Sequence, residues 1–319
     1  MHIFDTQVRP ILLYACEAWA ESLKENETIL QNLQKNSIEK FHMSVLKQLL
    51  GVHKKTSNIA VLLDTGRHPL SLTAKLQAIK YFLRFPAIKH NRLLSAYHES
   101  EKLTTGTFTN FVATNLNKIG MGNIWREQLI HNKNMSEDKK VMNGIRRRMT
   151  DISSQTIVTT LTKNTGKLDF LAISKKDHKF EKYLYIHNFE HRRAISKLRT
   201  SSHKLEIETG RWRKIQRENR ICQNCALNKV EDESHLLFDC QMHVAERKEL
   251  FETLKRKLGL YPPPSYYKEE TIKYIFGTDD LTVLNATGKY ISNVLKKRED
   301  MTFYTLPPHY IFYQLNTSK

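Results

Sequence analysis

The sequence predicts a mainly α-helical protein that carries one small metal-organised unit. Three observations support this. Apolar residues recur at three- and four-residue spacing along most of the chain, the pattern of a helix with one buried face. Glycine and proline are scarce, at 11 and 8 among 319 residues, which favours helices over turn-rich β structure. Three of the four cysteines fall with one histidine in a single stretch, "CQNCALNKVEDESHLLFDC", residues 222–240.

The helices follow in order. Residues 3–22 place Val8, Ile11, Leu12, Ala15 and Trp19 on one stripe, with a kink expected at Pro10. Residues 28–50 repeat the stripe through Ile29, Leu33, Ile38, Phe41, Val45 and Leu49, with Gly51 as the stop. "TSNIAVLLDTG" is expected as a short helix capped by Ser57 and ending near Gly66. "HPLSLTAKLQAIKYFLRF" opens at Pro69 and runs to about Phe85. Short connections make residues 1–95 an antiparallel helical bundle. Residues 96–205 form a helical middle region. It holds "TFTNFVATNLNKIG", then "SEDKKVMNGIRRRMTDISSQTIVTTL" with Ser136 as cap, then a segment from "KLDFLAIS" that turns helical towards "AISKLR". Residues 206–260 hold the cysteine unit. "LEIETGRW" enters it as a short strand, and "FDCQMHVAERKELFETLKRKLG" leaves it as a helix ending at Gly259. "YPPPS" breaks the chain, residues 268–298 add two helical segments to a 261–319 tail, and residues from 300 on are expected to fray.

The chain carries 51 Lys and Arg against 33 Asp and Glu, a net charge of +18. That excess points to an anionic partner, RNA or DNA before a membrane surface. No run of eighteen apolar residues provides a membrane span. The N-terminal stretch lacks a basic region and a small-residue cleavage site, and Glu17 interrupts it, so it does not read as a signal peptide. With few cysteines and no export signal, an intracellular location in nucleus or cytoplasm is expected rather than secretion.

Cys222 and Cys225 are close enough in sequence to reach one ion, and His235 and Cys240 return on a second element. Three thiolates and one imidazole form a set that tetrahedral Zn²⁺ favours. Four protein ligands close the coordination sphere, which makes the ion structural. His235 and Cys240 are five apart, so both face one point only if the segment turns tightly. Asp232 and Glu233 are placed to hold the other imidazole nitrogen, and His243 in "CQMH" is an alternative ligand to His235. A redox Cys-x2-Cys would need a βαβ setting that is absent here.

A basic run precedes this unit. Arg192, Arg193, Lys197, Arg199, Arg211, Arg213, Lys214, Arg217 and Arg220 are spread through it, and Trp212 is interleaved. Guanidinium groups pair with phosphate oxygens, and an exposed tryptophan stacks on an unpaired base. The run therefore reads as a nucleic-acid surface, against the alternative of a solvated helix face.

Three segments, in order, resemble one family: "IFDTQVRPILLYACEAWA", "SIEKFHMSVLKQLLGVHKKTSNIAVLLDTGRHPL", and "AISKLRTSSHKLEIETGRW" leading into the cysteines. Together they resemble the C-terminal part of the reverse transcriptase of non-LTR, LINE-like retrotransposons. The resemblance implies a helical thumb over the first two segments, a helical extension, and a zinc-knuckle element after the third. It also implies RNA or DNA as partner and self-association through a thumb face that the catalytic palm would otherwise cover. The family's palm carries Tyr/Phe-x-Asp-Asp, whose carboxylates hold the metals of phosphoryl transfer. Here the one Asp-Asp pair, Asp279–Asp280 in "IFGTDDLTV", follows the cysteines and is expected as a loop. No catalysis is expected, and "HNFEH" (His187, His191) reads as a surface helix rather than a metal site. The expectation is a palm-less, retroelement-derived protein that binds nucleic acid. The alternatives are a host-adopted helical scaffold for protein partners and an accessory part of a split reverse transcriptase.

Overall fold

The computed structural model describes residues 2–23, 29–85, 108–131, 134–163, 166–258 and 267–305. The break at "YPPPS", residues 86–95 and residues 306–319 lie outside them. The described chain is mainly helical and contains no strand; two isolated antiparallel bridges join Thr65 to Phe180 and Ile221 to Val230. In chain order the helices are α1 (Ile29–Lys35), α2 (Ser37–Leu50), α3 (Asn58–Thr65), α4 (Leu70–Arg84), α5 (Phe108–Lys118), α6 (Gly122–His131), α7 (Lys139–Lys163), α8 (Asp169–Ser174), α9 (Phe189–Arg199), α10 (Glu206–Trp212), α11 (Val244–Leu258), α12 (Lys268–Gly277) and α13 (Leu281–Thr305).

Local chemistry explains where these elements differ from the periodicity. Residues 4–22 form short helical turns, broken at Ala15, which has a left-handed φ of 49°. Pro10 follows a π-helical turn, Phe4–Val8, inside one helical run, and that wider turn lies where an α-helical bond to the missing Pro10 N–H would otherwise be needed. The 28–50 stripe is two helices. Asn36 separates them, and its Oδ1 accepts from the Ile38 amide at 2.8 Å to start α2. The cap of α7 is Asp138 rather than Ser136: Asp138 Oδ1 takes the Lys140 amide at 2.8 Å, while Ser136 is bound to Asn134. "LEIETGRW" is helix α10 and not a strand. Glu206 and Glu208 lie in its first turn, and Glu231 accepts from the Glu206 amide at 2.7 Å, both favourable at a helix N-terminus.

The residues group into two compact units, each drawn from two stretches of chain. Unit 1 takes Met1–Val45 and Arg67–Thr160. Its core is aliphatic and aromatic, with Phe82, Leu83, Val112, Leu116 and Ile145 fully buried. Ile3, Ile11 and Tyr14 of this unit are exposed.

Unit 2 takes Leu46–Gly66 and Leu161–Lys319. Ile195, Leu198, Leu205, Ile275, Leu284, Ile291 and Val294 fill its core. Helices α9 and α13 lie close together. Gly288 permits this, because a Cβ there would stand 2.7 Å from His191 Cβ. Unit 2 also buries a polar network. Arg199, with no exposure, donates to Asp64 Oδ1 at 2.9 Å and lies 3.2 Å from Glu181. The Tyr183 hydroxyl donates to Asp64 at 2.8 Å, and Lys175 pairs with Glu181. Burial opposes the Arg199 charge, but Asp64 and Glu181 outweigh it and hold its pKa up.

Candidate metal centre and its basic surroundings

The cysteine unit is assembled by short-range hydrogen bonds. The Cys222 amide donates to the Lys229 carbonyl and the Glu231 amide to the Arg220 carbonyl, both at 2.9 Å. These fold residues 221–230 into a tight excursion, with Asn228 in the left-handed region at φ 50°. Asp232 Oδ1 then accepts from the His235 amide at 2.7 Å and starts the next turn. That turn, His235–Asp239, is a π-helical one. Its closing bond runs from the Cys240 amide to the His235 carbonyl at 2.9 Å. An α-helix would set residues five apart at about 140° around its axis. The wider turn brings them to one side instead.

The result is a cluster in which Cys222, Cys225, His235 and Cys240 each offer a ligand atom, all within 4.8 Å of one another. Cys225 Sγ is 3.5 Å from His235 Nε2. Cys222, His235 and Cys240 are buried, Cys225 is half-buried, and none is in a disulfide. Cys222 donates to Cys240, which together with burial pushes the Cys222 thiol up to about 12, while the Cys240 thiol is lowered by accepting. Buried sulfurs sharing protons in this way are the arrangement that a cation displaces. The donor set fits a metal ion. His243 is buried outside the cluster, and burial pulls its imidazole down to about 4.

The carboxylates around the cluster are not arranged as expected. Neither Asp232 nor Glu233 reaches the His235 ring, whose Nδ1 is buried without a partner. Asp232 is occupied by the His235 backbone amide. Glu233 accepts from His203 Nε2 at 2.9 Å. The carboxylate nearest the sulfurs is Glu231, 3.8 Å from Cys222 Sγ and bound by Arg298 at 2.6 Å. Sequence spacing gave no sign of Arg298, which arrives from 67 positions away.

The basic run divides sharply. Arg199 is fully buried in the Asp64 network and has no surface to offer a phosphate. Arg220 donates to the carbonyls of Ile207 and Ile215, both at least partly inside the fold. Arg192 donates to the Ile186 carbonyl at 2.8 Å, and Arg211 pairs with Glu208 at 2.7 Å. Arg193 and Lys197 are half-buried on α9. The outward-facing set is Trp212, Arg213, Lys214 and Arg217. Trp212 is 66% exposed and does not pack into the cysteine unit. Arg213 pairs with Glu206, and Arg217 lies 3.3 Å from Asp169. The Arg217–Asp169 pair is open to solvent on both sides and therefore weak, whereas Glu206 is mostly buried.

Asp280 is a helix cap. Its Oδ1 accepts from the Thr282 amide at 2.8 Å, Lys257 sits 2.8 Å away, and the Lys257 hydrogen bond lowers its pKa to about 2. His187 is exposed, and His191 Nδ1 lies 2.8 Å from Asn285 Oδ1. No protein-family model, curated protein or solved structure matches the chain.

Proposed function

We propose that the cluster holds one structural Zn²⁺ and that the zinc-organised unit binds RNA or DNA through the surface at residues 212–217. The observation that carries this reading is the convergence of three thiol sulfurs and one imidazole nitrogen directly after an exposed tryptophan among cations. Zn²⁺ prefers this donor set, with Zn–S near 2.3 Å and Zn–N near 2.0 Å, so a small contraction of the cluster completes a tetrahedron. His235 Nε2 would be the nitrogen ligand. The reading is consistent with the resemblance to the C-terminal part of non-LTR reverse transcriptases, in which a zinc-knuckle element follows the thumb. In this proposal the chain grips nucleic acid and does not polymerise it.

Binding would rest mainly on phosphates. Arg213, Lys214 and Arg217 supply about three contacts, for which log K falls against log salt with a slope of roughly −2 to −3. Trp212 would stack on an unpaired base. The experiment is a salt-dependent binding series on the zinc-loaded chain. Arg213→Ala with Lys214→Ala should weaken binding to all sequences alike and flatten the slope. Trp212→Ala should weaken single-strand binding more than duplex binding, because the exposed ring contributes no core packing. A variant that binds as tightly as the parent at low salt would place the interface elsewhere.

A further inference from the structure

A cavity of about 700 Å3 opens beside α9 and α13 and has no place in the reading above. Arg193, Ala194 and Lys197 line it from α9, and Leu295, Lys296 and Glu299 from α13, spaced three and four apart along one face of each helix. Residues 51–53 and 202–204 close it. Five cationic side chains, Arg193, Lys197, Lys204, Lys296 and Arg298, line it against two carboxylates, Glu190 and Glu299.

The carboxylates offset the set only in part: Glu299 and Glu190 favour the Lys197 charge through space, but less than burial and the Arg193 charge oppose it. Glu299 lies 3.7 Å from Lys204, and Arg298 is committed to Glu231 outside the lining. Among the described residues, Arg193, Lys197 and Lys296 form no ion pair. Burial, reinforced by the Arg193 charge, lowers the Lys197 pKa, as expected where like charges are crowded beside apolar walls. Arg193 is positioned by backbone rather than by an acid. Its Nε donates to the Gly51 carbonyl at 3.1 Å. Gly51 has a φ of +65°, and a Cβ there would stand 2.7 Å from Arg193 Cγ, so only glycine lets the arginine lie across this turn. A guanidinium fixed through a carbonyl keeps its charge for something else.

We propose that this cavity is a phosphate-ester site in which Arg193, Lys197 and Lys296 hold the phosphoryl oxygens. The planar fork of Arg193 suits bidentate contact, and the two lysines act as point charges. A cavity of this size accommodates a nucleotide. The phosphate ester is either the end of a nucleic-acid strand or a free nucleotide, which present the same chemistry. The site uses none of the 212–217 residues and stands apart from the reading built on them. It is tied to the cysteine cluster through its own lining: Glu233 holds His203, and Glu231 holds Arg298.

Calorimetric titration of the full, zinc-loaded chain with inorganic pyrophosphate at low salt tests the proposal. Saturable binding is expected, and Lys197→Met combined with Lys296→Met should weaken it by about tenfold or more, as for loss of charge-assisted hydrogen bonds. Lys296→Met alone removes an exposed side chain and no core contact, and should show part of the loss with unchanged helical circular dichroism and metal content. Arg193→Lys keeps the charge but loses the fork and should also weaken binding. Arg213→Ala with Lys214→Ala should bind pyrophosphate as the parent does, whatever it does to nucleic acid. Oligonucleotides with a 5′-phosphate or a 5′-hydroxyl, and a nucleoside diphosphate, then identify the source. A 5′-phosphate preference that vanishes in the Lys197, Lys296 variant assigns a strand end. Equally tight binding of the nucleoside diphosphate assigns a free nucleotide. Absence of saturable pyrophosphate binding, or binding indifferent to the lysine pair in a folded variant, overturns the proposal.

Discussion

The cysteine cluster and the Arg199 network are both buried in unit 2, yet they are built on opposite plans. The cluster takes its four donors from residues 222–240 and leaves room for an ion. The network joins Asp64 to Arg199 across 135 positions and satisfies itself with a charge of each sign, a tyrosine hydroxyl and a second acid. On the proposed reading, one constellation gains stability from an added ion, the other from chain closure alone. Each should therefore fail under a different insult.

The largest effect should come from removing the metal. A structural zinc site in a small unit carries apparent binding energy of about 10–16 kcal/mol, most of it spent on folding that unit. Chelation, or Cys222→Ser, should abolish hydrogen-exchange protection over residues 206–243 while α9 and α13 keep theirs. Cys16→Ser should leave about one equivalent of bound zinc, as for a single four-ligand site. Equal loss of protection in both regions would erase the distinction drawn here.

Next in size is Arg199→Met. It leaves Asp64 charged and buried without its partner, a loss of about 3–5 kcal/mol. Urea unfolding should show this with metal content unchanged. Adding Asp64→Leu should recover most of the loss, because replacing both charges by apolar groups removes the uncompensated one. No recovery would mean that Glu181 and Tyr183 need Asp64 for reasons beyond charge balance.

The smallest effect concerns pH and His243, which lies beside the cluster in sequence but takes no part in it. Its folded pKa of about 4 is below its unfolded value of 6.5. Between those values the unfolded chain binds a proton that the folded one refuses. Stability is therefore full above about pH 6.5, falls as pH drops towards 4, and is flat below. The full loss across this window is at most about 3 kcal/mol. His243→Gln should narrow its Tm difference from the parent as pH falls through this window, with zinc content followed in parallel. A pH-independent difference would show that burial does not set the titration of His243.

What was legible in the sequence follows from the same contrast. The helices were legible because their stripes are local, and so were the four donors, because Cys-x2-Cys and the later His and Cys lie within one short stretch. Arg199 was misplaced among the phosphate contacts because its partner, Asp64, lies 135 residues away, and nothing near it in sequence marks it as buried. Glu231 was missed in favour of Asp232 and Glu233 for a related reason: backbone bonding at Ile207 and Arg298 from α13 decide which of three adjacent acids turns inward. The cavity was invisible because its lysines and arginine come from helices about a hundred positions apart. The strand expected at "LEIETGRW" failed where a distant carboxylate, Glu231, supplied a helix start that propensity did not foresee.

The discontinuity of unit 2 also has a consequence in time. The ribosome releases residues 46–66 before the rest of their unit exists, since the remainder begins at Leu161. Asp64 must wait for an arginine 135 residues downstream. At about 5–20 residues per second of synthesis, that delay is on the order of ten seconds. Ile59–Leu63, all buried in the finished fold, are therefore made well before the Leu161–Lys319 part of their unit.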